Sequence, residues 1–348
     1  MTTNPFRPTF GISPRVWRGR GLVLHDFEQA IAGEPGSPAR ALVIDGARGI
    51  GKTALVNELV DIAQSAGWVS LRTQSLQPTA TLELRLRELI QELEPHGTGV
   101  LITIDEVQDA NPADLAEIAG AYQMLLQDEK HIALIVTGLS EGVQRLLSLP
   151  GTTFMRRAQR FTLGGLTRDD AEYVLRETCS GSGIEFTDDA AVRAAVLSRG
   201  YPYLVQLVGF LAWKLAHSHS QHIINTEAVD AIRADAIQTL GEQVHEPSIK
   251  GLPARQREFL QCMAATAQIT VPATGQATAQ GDMSDAAERA EISEIAACMG
   301  RAVTSMSDLR QRLIDKELIE PVDRGLLEFT LPYLGEYLRN QPSRRRVS

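Results

Sequence analysis

The sequence predicts an α/β domain built on a five-stranded parallel sheet, followed by a helical lid and a C-terminal winged-helix domain. Strands alternate with helices over residues 35–165, a pattern typical of a parallel sheet. From residue 167 helices follow one another without a convincing strand between them. Near the C-terminus a helix-turn-helix pattern precedes a tight hairpin, which is the winged-helix order. The predicted units are residues 1–165, 166–246 and 247–340, with a flexible insertion at about 265–286 and a basic tail at 341–348.

Each element of the predicted sheet follows from its apolar pattern. The segments VLITID and HIALIVTG are apolar on both faces, as expected for buried parallel strands. The helix after Asn111 has a capping residue and a first-turn proline. In chain order, the predicted strands are 41–45, 68–72, 100–105, 131–138 and 159–163, and the helices among them are 52–66, 81–94 and 112–126.

The remaining chain is predicted to be mainly helical. Helices at 168–178, 188–199, 202–217 and 226–244 form the lid. The winged-helix domain consists of helices 254–264, 291–299 and 304–316, strands 318–322 and 326–330, and helix 333–338. The stretch 264–285 is rich in Ala, Thr, Gln and Gly and has little periodicity, which predicts a flexible insertion.

Charge and cysteine content narrow the function and the compartment. A net charge of −9 over 348 residues argues against blanket binding of polyanions, so any nucleic-acid site must be local. Cys179, Cys262 and Cys298 form no CxxC pair, so neither a disulfide framework nor a zinc site is expected, and a reducing cytoplasm fits best. No secretion signal or membrane span is expected, because the longest apolar stretch, 203–216, is short and interrupted.

A glycine-rich motif of the form GxxxxGK[ST] follows the first strand. It reads Gly46-Ala47-Arg48-Gly49-Ile50-Gly51-Lys52-Thr53 and opens the helix that continues with Ala54. Its backbone N–H groups can curl around phosphate oxygens, and the helix N-terminus adds partial positive charge. Lys52 would neutralise the β- and γ-phosphate oxygens, and the Thr53 hydroxyl would bind Mg²⁺. The motif and its strand-to-helix context therefore predict a nucleotide site.

Acidic and hydroxyl side chains follow two other buried strands. Asp105 and Glu106 end VLITID, and a nucleotide hydrolase needs one carboxylate in the magnesium shell and another to polarise water. We assign these roles to Asp105 and Glu106 respectively. Thr137 lies at the end of HIALIVTG, where its side chain would reach the γ-phosphate or the attacking water. Lys52, Glu106 and Thr137 are therefore predicted catalytic residues.

The order GARGIGKT, LITIDEVQD and IVTG, followed by helices and a winged helix, resembles AAA+ ATPases of the origin-recognition-initiator type. It also resembles bacterial AAA family ATP-binding proteins with a C-terminal winged helix. The resemblance implies an enzyme that binds ATP or ADP with Mg²⁺ and hydrolyses ATP slowly, stimulated by assembly or a partner. It further implies that Phe10 and Ile12, within NPFRPTFGISPRVWRGR, lie on the base side of the nucleotide.

The lid departs from the family pattern. Members of the family usually carry an arginine early in the third lid helix, but here the matching turn reads Gly200-Tyr201-Pro202 and no arginine follows. This turn is similar to the GxP element of STAND-type and transposition-type ATPases, which makes Tyr201 and Pro202 candidate nucleotide contacts. The resemblance also implies an arginine supplied in trans, for which MRRAQRF offers Arg156 and Arg157, and hence self-association in the ATP state.

The predicted winged helix has two possible targets. The candidate contacts to double-stranded DNA are Arg301, Ser307, Gln311, Arg312 and Arg324. Arginine and glutamine can read base edges or clamp phosphates, but Asp308 and Asp315 share the outward face and oppose DNA. Besides a DNA-binding switch, two alternatives stay open. One is a STAND-like signalling or assembly ATPase whose winged helix docks on a protein, and the other is an ATPase that loads or activates a separate DNA enzyme.

Overall fold

The computed structural model describes residues 3–9, 11–73, 82–270 and 287–341. The chain divides into two compact units. We call Thr9–Gly164 the sheet unit, and Met1–Pro8 together with Gly165–Ser348 the helical unit. The predicted lid and winged-helix domain both lie in the helical unit, and their separation into two domains stays a prediction.

The described residues of the sheet unit, 9, 11–73 and 82–164, form five strands and five α-helices. The strands are β1 (Ala41–Gly46), β2 (Val69–Thr73), β3 (Val100–Ile104), β4 (Ile132–Gly138) and β5 (Gln159–Leu163). The helices are α1 (Gly21–Ala32), α2 (Lys52–Ser65), α3 (Leu82–Leu93), α4 (Pro112–Gln127) and α5 (Ser140–Ser148). All the strands are parallel and lie in the order β2-β3-β4-β1-β5, which confirms the predicted sheet.

Helices cover both faces of this sheet. Residues of β3 and β4 are buried throughout, whereas β5 at the edge alternates between partly buried and exposed positions and ends in the buried Leu163, in keeping with its QRFTL sequence. Helices α3, α4 and α5 contribute to the core on one face, and α1 and α2 to the core on the other. The carboxyl ends of β1, β3 and β4 meet at one edge, where ligands bind in open α/β sheets.

The lid region of the helical unit is a group of four helices. They are α6 (Arg168–Cys179), α7 (Asp188–Ser198), α8 (Pro202–Ser218) and α9 (Thr226–Leu240). Side chains of Thr167, Thr187 and Asn225 accept backbone N–H groups in the first turns of α6, α7 and α9, which fixes where these helices begin. The expectation of no strand here is corrected by a short parallel pair, β6 (Glu185–Phe186) with β7 (Ile223–Ile224).

The C-terminal region has the winged-helix order. After a π-helical turn (Gly241–His245) come α10 (Glu246–Ile249), α11 (Ala254–Thr266), β8 (Gln268–Thr270), β9 (Ala287–Glu291), α12 (Ile292–Cys298), α13 (Ser307–Asp315), β10 (Ile319–Asp323), β11 (Leu326–Phe329) and α14 (Leu334–Asn340). The antiparallel sheet has the order β10-β11-β9-β8. Its hairpin β10–β11 is the predicted wing, and α13 occupies the position of the predicted recognition helix.

Two expectations for this region need correction. The start of the stretch predicted to be flexible belongs to the end of α11 and to β8, and β8 pairs with β9, which follows that stretch, and so extends the sheet beyond the wing. Residues 271–286 and the basic tail from residue 342 lie outside the described residues. A disulfide joins Cys262 in α11 to Cys298 in α12, against the expectation of no disulfide, while Cys179 is a buried free thiol.

None of the helices in the described ranges combines the length and the apolarity that crossing a membrane requires.

Candidate nucleotide site

The loop between β1 and α2 is held in shape by its glycines. Gly46, Gly49 and Gly51 all have positive φ angles, of 147°, 70° and 96°. A Cβ on Gly46 would lie 2.7 Å from the backbone oxygen of Leu163 on β5, so only glycine fits there. Gly51 is the left-handed residue immediately before α2. The loop therefore ends at a helix N-terminus, where backbone N–H groups can hold an anion.

The side chain of Lys52 lies against this loop. It is buried, and its Nζ donates hydrogen bonds to the backbone oxygens of Gly46 at 2.7 Å and Ala47 at 3.1 Å. Carbonyl oxygens from the loop thus keep the ammonium group beside the backbone N–H groups of the motif. This places a positive charge where the sequence predicted the β- and γ-phosphates.

The carboxylate of Asp105 accepts hydrogen bonds from residues of different elements at the end of the sheet. Its Oδ2 accepts a hydrogen bond of 2.8 Å from the Thr53 hydroxyl, and its Oδ1 accepts one from the Thr137 hydroxyl. The backbone N–H of Glu106 also donates to Oδ1, at 3.1 Å. Thr53 follows β1, Asp105 follows β3 and Thr137 lies in β4, so the sheet order brings together three residues that are distant in sequence.

Glu106 follows Asp105 in a left-handed conformation, with a φ of 53° and a ψ of 52°. Its Oε2 accepts a hydrogen bond from Nε2 of Gln108, and Oε1 of Gln108 accepts one of 3.1 Å from the backbone N–H of Leu139. Nothing in the sequence pattern marked Gln108. The available signal was a side-chain amide two positions after the second carboxylate.

The segment predicted to lie on the base side of the nucleotide runs along the start of α2. The Asn57 side chain donates to the backbone oxygen of Gly11, and the Ser13 hydroxyl donates to the backbone oxygen of Ala54 at 3.4 Å. Ile12 is 44% exposed, which is unusual for a large apolar side chain between two such anchors. Phe10 lies outside the described residues.

The arginine-finger candidates lie at the other end of the sheet. Gln159 at the start of β5 pairs with Leu42, whereas Leu163 at its end pairs with Gly46 of the phosphate loop. Arg156 and Arg157 precede β5, so they lie on the amino-terminal side of the sheet, away from the phosphate loop of their own chain. Arg157 is exposed, and Nε of Arg156 donates to the backbone oxygen of Leu147 at 3.1 Å. A catalytic role for either would have to be in trans.

Tyr201 and Pro202 lie in the helical unit. Pro202 is the first residue of α8, and Tyr201 precedes it as the capping residue. Tyr201 is buried, and burial raises the pKa of its phenol, with a smaller contribution from Tyr203. The hydroxyl of Tyr203 donates to Oε1 of Gln243 in the π-helical turn at 2.7 Å. A nucleotide contact by Tyr201 or Pro202 stays a prediction.

The residues of the winged helix that are predicted to contact DNA are all exposed. They are Arg301, Ser307, Gln311, Arg312 and Arg324. On the opposite side of α13, Leu313 is fully buried and Leu309 is partly buried, so these two side chains face the interior of the domain. Gln311 donates to the Asp315 carboxylate at 2.7 Å, which engages its amide within the helix.

Comparisons with known proteins agree with this architecture. Residues 38–170 match the family model described as an AAA domain, and residues 242–338 match a domain of unknown function (DUF8462). No curated protein sequence matches the chain. A Walker-type ATPase of Pyrococcus abyssi is similar with a TM-score of 0.62 and 12% identity, over 92% of this chain and 95% of that one.

Two further solved structures are similar over most of their length. The ORC2 protein of Aeropyrum pernix has a TM-score of 0.61 and 14% identity, over 96% of each chain. The RuvB Holliday junction branch migration motor of Thermotoga maritima has a TM-score of 0.50 and 18% identity, over 92% of this chain and 95% of that one. At these identities the likeness shows the fold alone.

The fold and the glycine-rich loop are those of P-loop nucleotide-binding proteins. More narrowly, the AAA domain match and the similar structures confirm that the chain has the fold of a P-loop AAA+ ATPase of the origin-recognition type. The resemblance inferred from the motif order is therefore confirmed.

Proposed function

We propose that the chain is a Mg²⁺-dependent ATPase in which the bound nucleotide controls the orientation of the winged helix. The observation that carries the nucleotide part is the Asp105 carboxylate, which receives hydroxyl hydrogen bonds from both Thr53 and Thr137 beside the phosphate loop. Hydroxyls from α2 and β4 and a carboxylate that follows β3 have little reason to converge at the sheet edge unless they serve a site there.

The residues at this edge fit ATP with Mg²⁺. The Thr53 hydroxyl and the Asp105 carboxylate offer hard oxygen ligands, and proteins usually bind Mg²⁺ through one or two carboxylates plus substrate phosphates. Thr53 and Asp105 would hold the ion, which would supply positive charge to offset the negative charge of the phosphates. Within residues 3–9, 11–73, 82–270 and 287–341, no cluster of three or more His, Cys, Asp or Glu is placed to hold a metal by itself.

Each residue of the site has a proposed role. Lys52 neutralises the β- and γ-phosphates, and the loop residues 46–51 with Ala54 surround them with backbone N–H groups. Glu106 polarises the attacking water, and Thr137 orients Asp105 or the water. Ile12 and Phe10 contact the base, and Tyr201 with Pro202 contacts the nucleotide from the lid. The ORC2 structure is described as ADPNP and ADP complexes, which supports ATP and ADP as ligands.

Contacts within the helical unit support the switch. Tyr333, just before α14, is buried, and its hydroxyl donates to the backbone oxygen of Leu197 in α7 at 2.9 Å. The guanidinium of Arg199 lies 3.9 Å from the centre of the Tyr333 ring. Leu197 and Arg199 immediately precede the Gly200-Tyr201-Pro202 turn. A displacement of that turn would therefore be transmitted directly to the C-terminal region.

Additional contacts join the lid to the C-terminal region. Arg233 of α9 pairs with Glu336 of α14 at 3.6 Å. His245 in the π-helical turn shares a hydrogen bond of 2.9 Å with the backbone oxygen of Pro332. Because π-helical turns often mark functional positions, this joint is where we place the coupling between lid and winged helix.

Duplex DNA is the proposed target of the winged helix. Arg301, Arg312 and Arg324 are exposed on it, and the similar RuvB structure is a Holliday junction branch migration motor. The overall charge of −9 means that these arginines would have to supply the affinity locally. A protein partner is the alternative, which the exposed Asp308 and the Gln311–Asp315 hydrogen bond favour.

Fluorescence anisotropy with a labelled duplex tests the DNA proposal. Binding should weaken between about 50 and 200 mM salt, and Arg312→Ala and Arg324→Ala should each reduce the salt slope by about one. Arg193→Ala is a matched control, because Arg193 is exposed on the lid and pairs with Asp230. If the wild type binds no duplex with ATP or ADP, or both variants bind like the control, the DNA assignment is wrong.

Sedimentation with ATP separates the alternatives. ATP-dependent self-association that duplex DNA does not change would favour the STAND-like assembly ATPase with a protein-docking winged helix. DNA-stimulated hydrolysis together with co-sedimentation would favour the DNA switch. Loss of ATP-dependent self-association and of hydrolysis in Arg157→Ala would identify an arginine supplied in trans, which raises rates by about 10³ to 10⁵.

A cytoplasmic location is proposed as well.

A further inference from the structure

We propose that Gln108 is a positioning residue that fixes the carboxylate of Glu106 and ties it to α5. The inference rests on the proposed function, in which Glu106 polarises the attacking water. Gln108 lies in the short helical turn Val107–Asp109 after β3.

The amide of Gln108 bridges two elements with both of its ends. Nε2 donates to Oε2 of Glu106, and Oε1 accepts the backbone N–H of Leu139 at 3.1 Å. A flipped amide would place its oxygen against a carboxylate oxygen and its NH₂ group against a backbone N–H. The two partners therefore fix the orientation of the amide, because each has only one compatible end.

The backbone of Gln108 is fixed as firmly as its side chain. Its carbonyl oxygen accepts a hydrogen bond of 2.7 Å from the Arg145 guanidinium of α5. A Cβ added to Gly142 of α5 would lie 2.6 Å from the Cβ of Gln108, and one added to Gly138 would lie 2.6 Å from Cγ1 of Val107. Two glycines thus let the turn pack directly on the start of α5.

Glu106 needs such a support. Its left-handed backbone is unfavourable for a residue with a side chain, so surrounding contacts must hold it. The amide engages only Oε2, and no described residue donates a hydrogen bond to Oε1, which leaves that oxygen to accept the proton of a water. In hydrolysis the water oxygen bonds to the γ-phosphorus, the bond to the ADP oxygen breaks, and the proton of the water passes to Glu106.

The arrangement also links Glu106 to the region of the arginine-finger candidates. Arg145 and Leu147 both belong to α5, and Leu147 accepts the hydrogen bond from Arg156. A neighbouring subunit that moved Arg156 would therefore act on α5, whose Arg145 donates to the backbone oxygen of Gln108. This gives assembly a physical route to the water-polarising carboxylate.

The test compares ATP affinity and kcat in the full chain. Gln108→Ala should lower kcat at least about tenfold while changing the Kd for ATP less than about twofold. Gln108→Glu should lower kcat further, because a second carboxylate repels Glu106. Gln64→Ala is a matched control, since Gln64 also makes a side-chain hydrogen bond, to Ser70 at 2.7 Å, and should leave both constants unchanged.

A double-mutant comparison separates positioning from a merely structural role. In a Glu106→Gln background, Gln108→Ala should cause no further loss of kcat, because its effect acts through Glu106. A structural role would lower kcat equally in both backgrounds and would also raise the Kd. A kcat for Gln108→Ala equal to that of wild type would overturn the inference.

The activities of wild type and of Glu106→Gln distinguish an error about Gln108 from an error about the proposed function. If wild type hydrolyses ATP and Glu106→Gln hydrolyses it much more slowly but measurably, the function stands, and the Gln108 variants alone decide the inference. If wild type neither binds nor hydrolyses ATP, the proposed function fails first and the inference fails with it.

Discussion

His245 makes the joint between the lid and the C-terminal region sensitive to pH. The ring is fully buried, one nitrogen is hydrogen-bonded to Pro332, and Nδ1 is buried with no hydrogen-bond partner among the described residues. The ring of Tyr337 lies against it, with centroids 5.2 Å apart. Burial lowers the pKa of His245 to about 4, although the hydrogen bond to Pro332 opposes this shift.

The sign and size of the effect follow from the two pKa values. Between the ordinary pKa of 6.5 and the lowered pKa of about 4, the unfolded chain binds more protons than the folded one. The contribution of the uncharged His245 to the free energy of unfolding is therefore fully present above about pH 6.5 and is lost as the pH falls towards 4. At about pH 5 the loss is about 2 kcal/mol, from 1.36 kcal/mol per pKa unit over about 1.5 units.

Hydrogen exchange of the segments 241–249 and 331–338 measures this loss. After correction for intrinsic exchange rates, their free energy of opening in wild type should fall by about 2 kcal/mol between pH 7 and pH 5. His245→Gln removes the titrating imidazole while supplying a side-chain N–H that can donate to the backbone oxygen of Pro332, and should show no such fall. The same decrease in both proteins would refute the reasoning, because another group would then be responsible.

The remaining predictions concern the packing of Tyr333, the close contact between Gly142 and Gln108, and the disulfide. In urea titrations, Tyr333→Phe should lower the unfolding free energy of the helical unit by about 1 kcal/mol, because it removes one hydrogen bond. Tyr333→Ala should lower it by about 3 to 5 kcal/mol, because it also removes the ring beside Arg199. Equal losses in the two variants would contradict this reasoning. Gly142→Ala should lower kcat without changing ATP affinity, because its Cβ would displace Gln108, and a normal kcat would count against that contact. Reduction of the disulfide between Cys262 and Cys298, 36 residues apart, should destabilise the C-terminal region by up to about 4 kcal/mol in thermal melts, whereas Cys262→Ser should not respond to reductant.

Local sequence patterns were sufficient for the phosphate loop and the buried strands. The loop motif specifies its own conformation, because its glycines adopt backbone angles that other residues rarely adopt. Asp105 was predictable for a similar reason, since a carboxylate after a fully buried strand must lie at the sheet edge. The place of β4 between β1 and β3 was not predicted, because strand order depends on contacts between distant segments.

Features that depend on tertiary pairing were not predictable. The spacing of Cys262 and Cys298 gives no sign of a disulfide, and only the packing of α11 on α12 brings them together. Gln108 has an ordinary loop sequence, and its importance arises from Leu139, which belongs to another element. Strand β8 lies in a compositionally biased stretch and is stabilised by pairing with β9, which periodicity cannot show.

Equilibrium binding of ATP tests the central assignment most directly. Wild type should bind ATP in isothermal titration calorimetry, more tightly with Mg²⁺ than with a chelator. Lys52→Ala should lose most of the affinity in both conditions, because it removes the positive charge beside the loop carbonyls. Asp105→Asn should abolish the difference between the two conditions. Unchanged affinity in Lys52→Ala would contradict the placement of the nucleotide at this edge of the sheet.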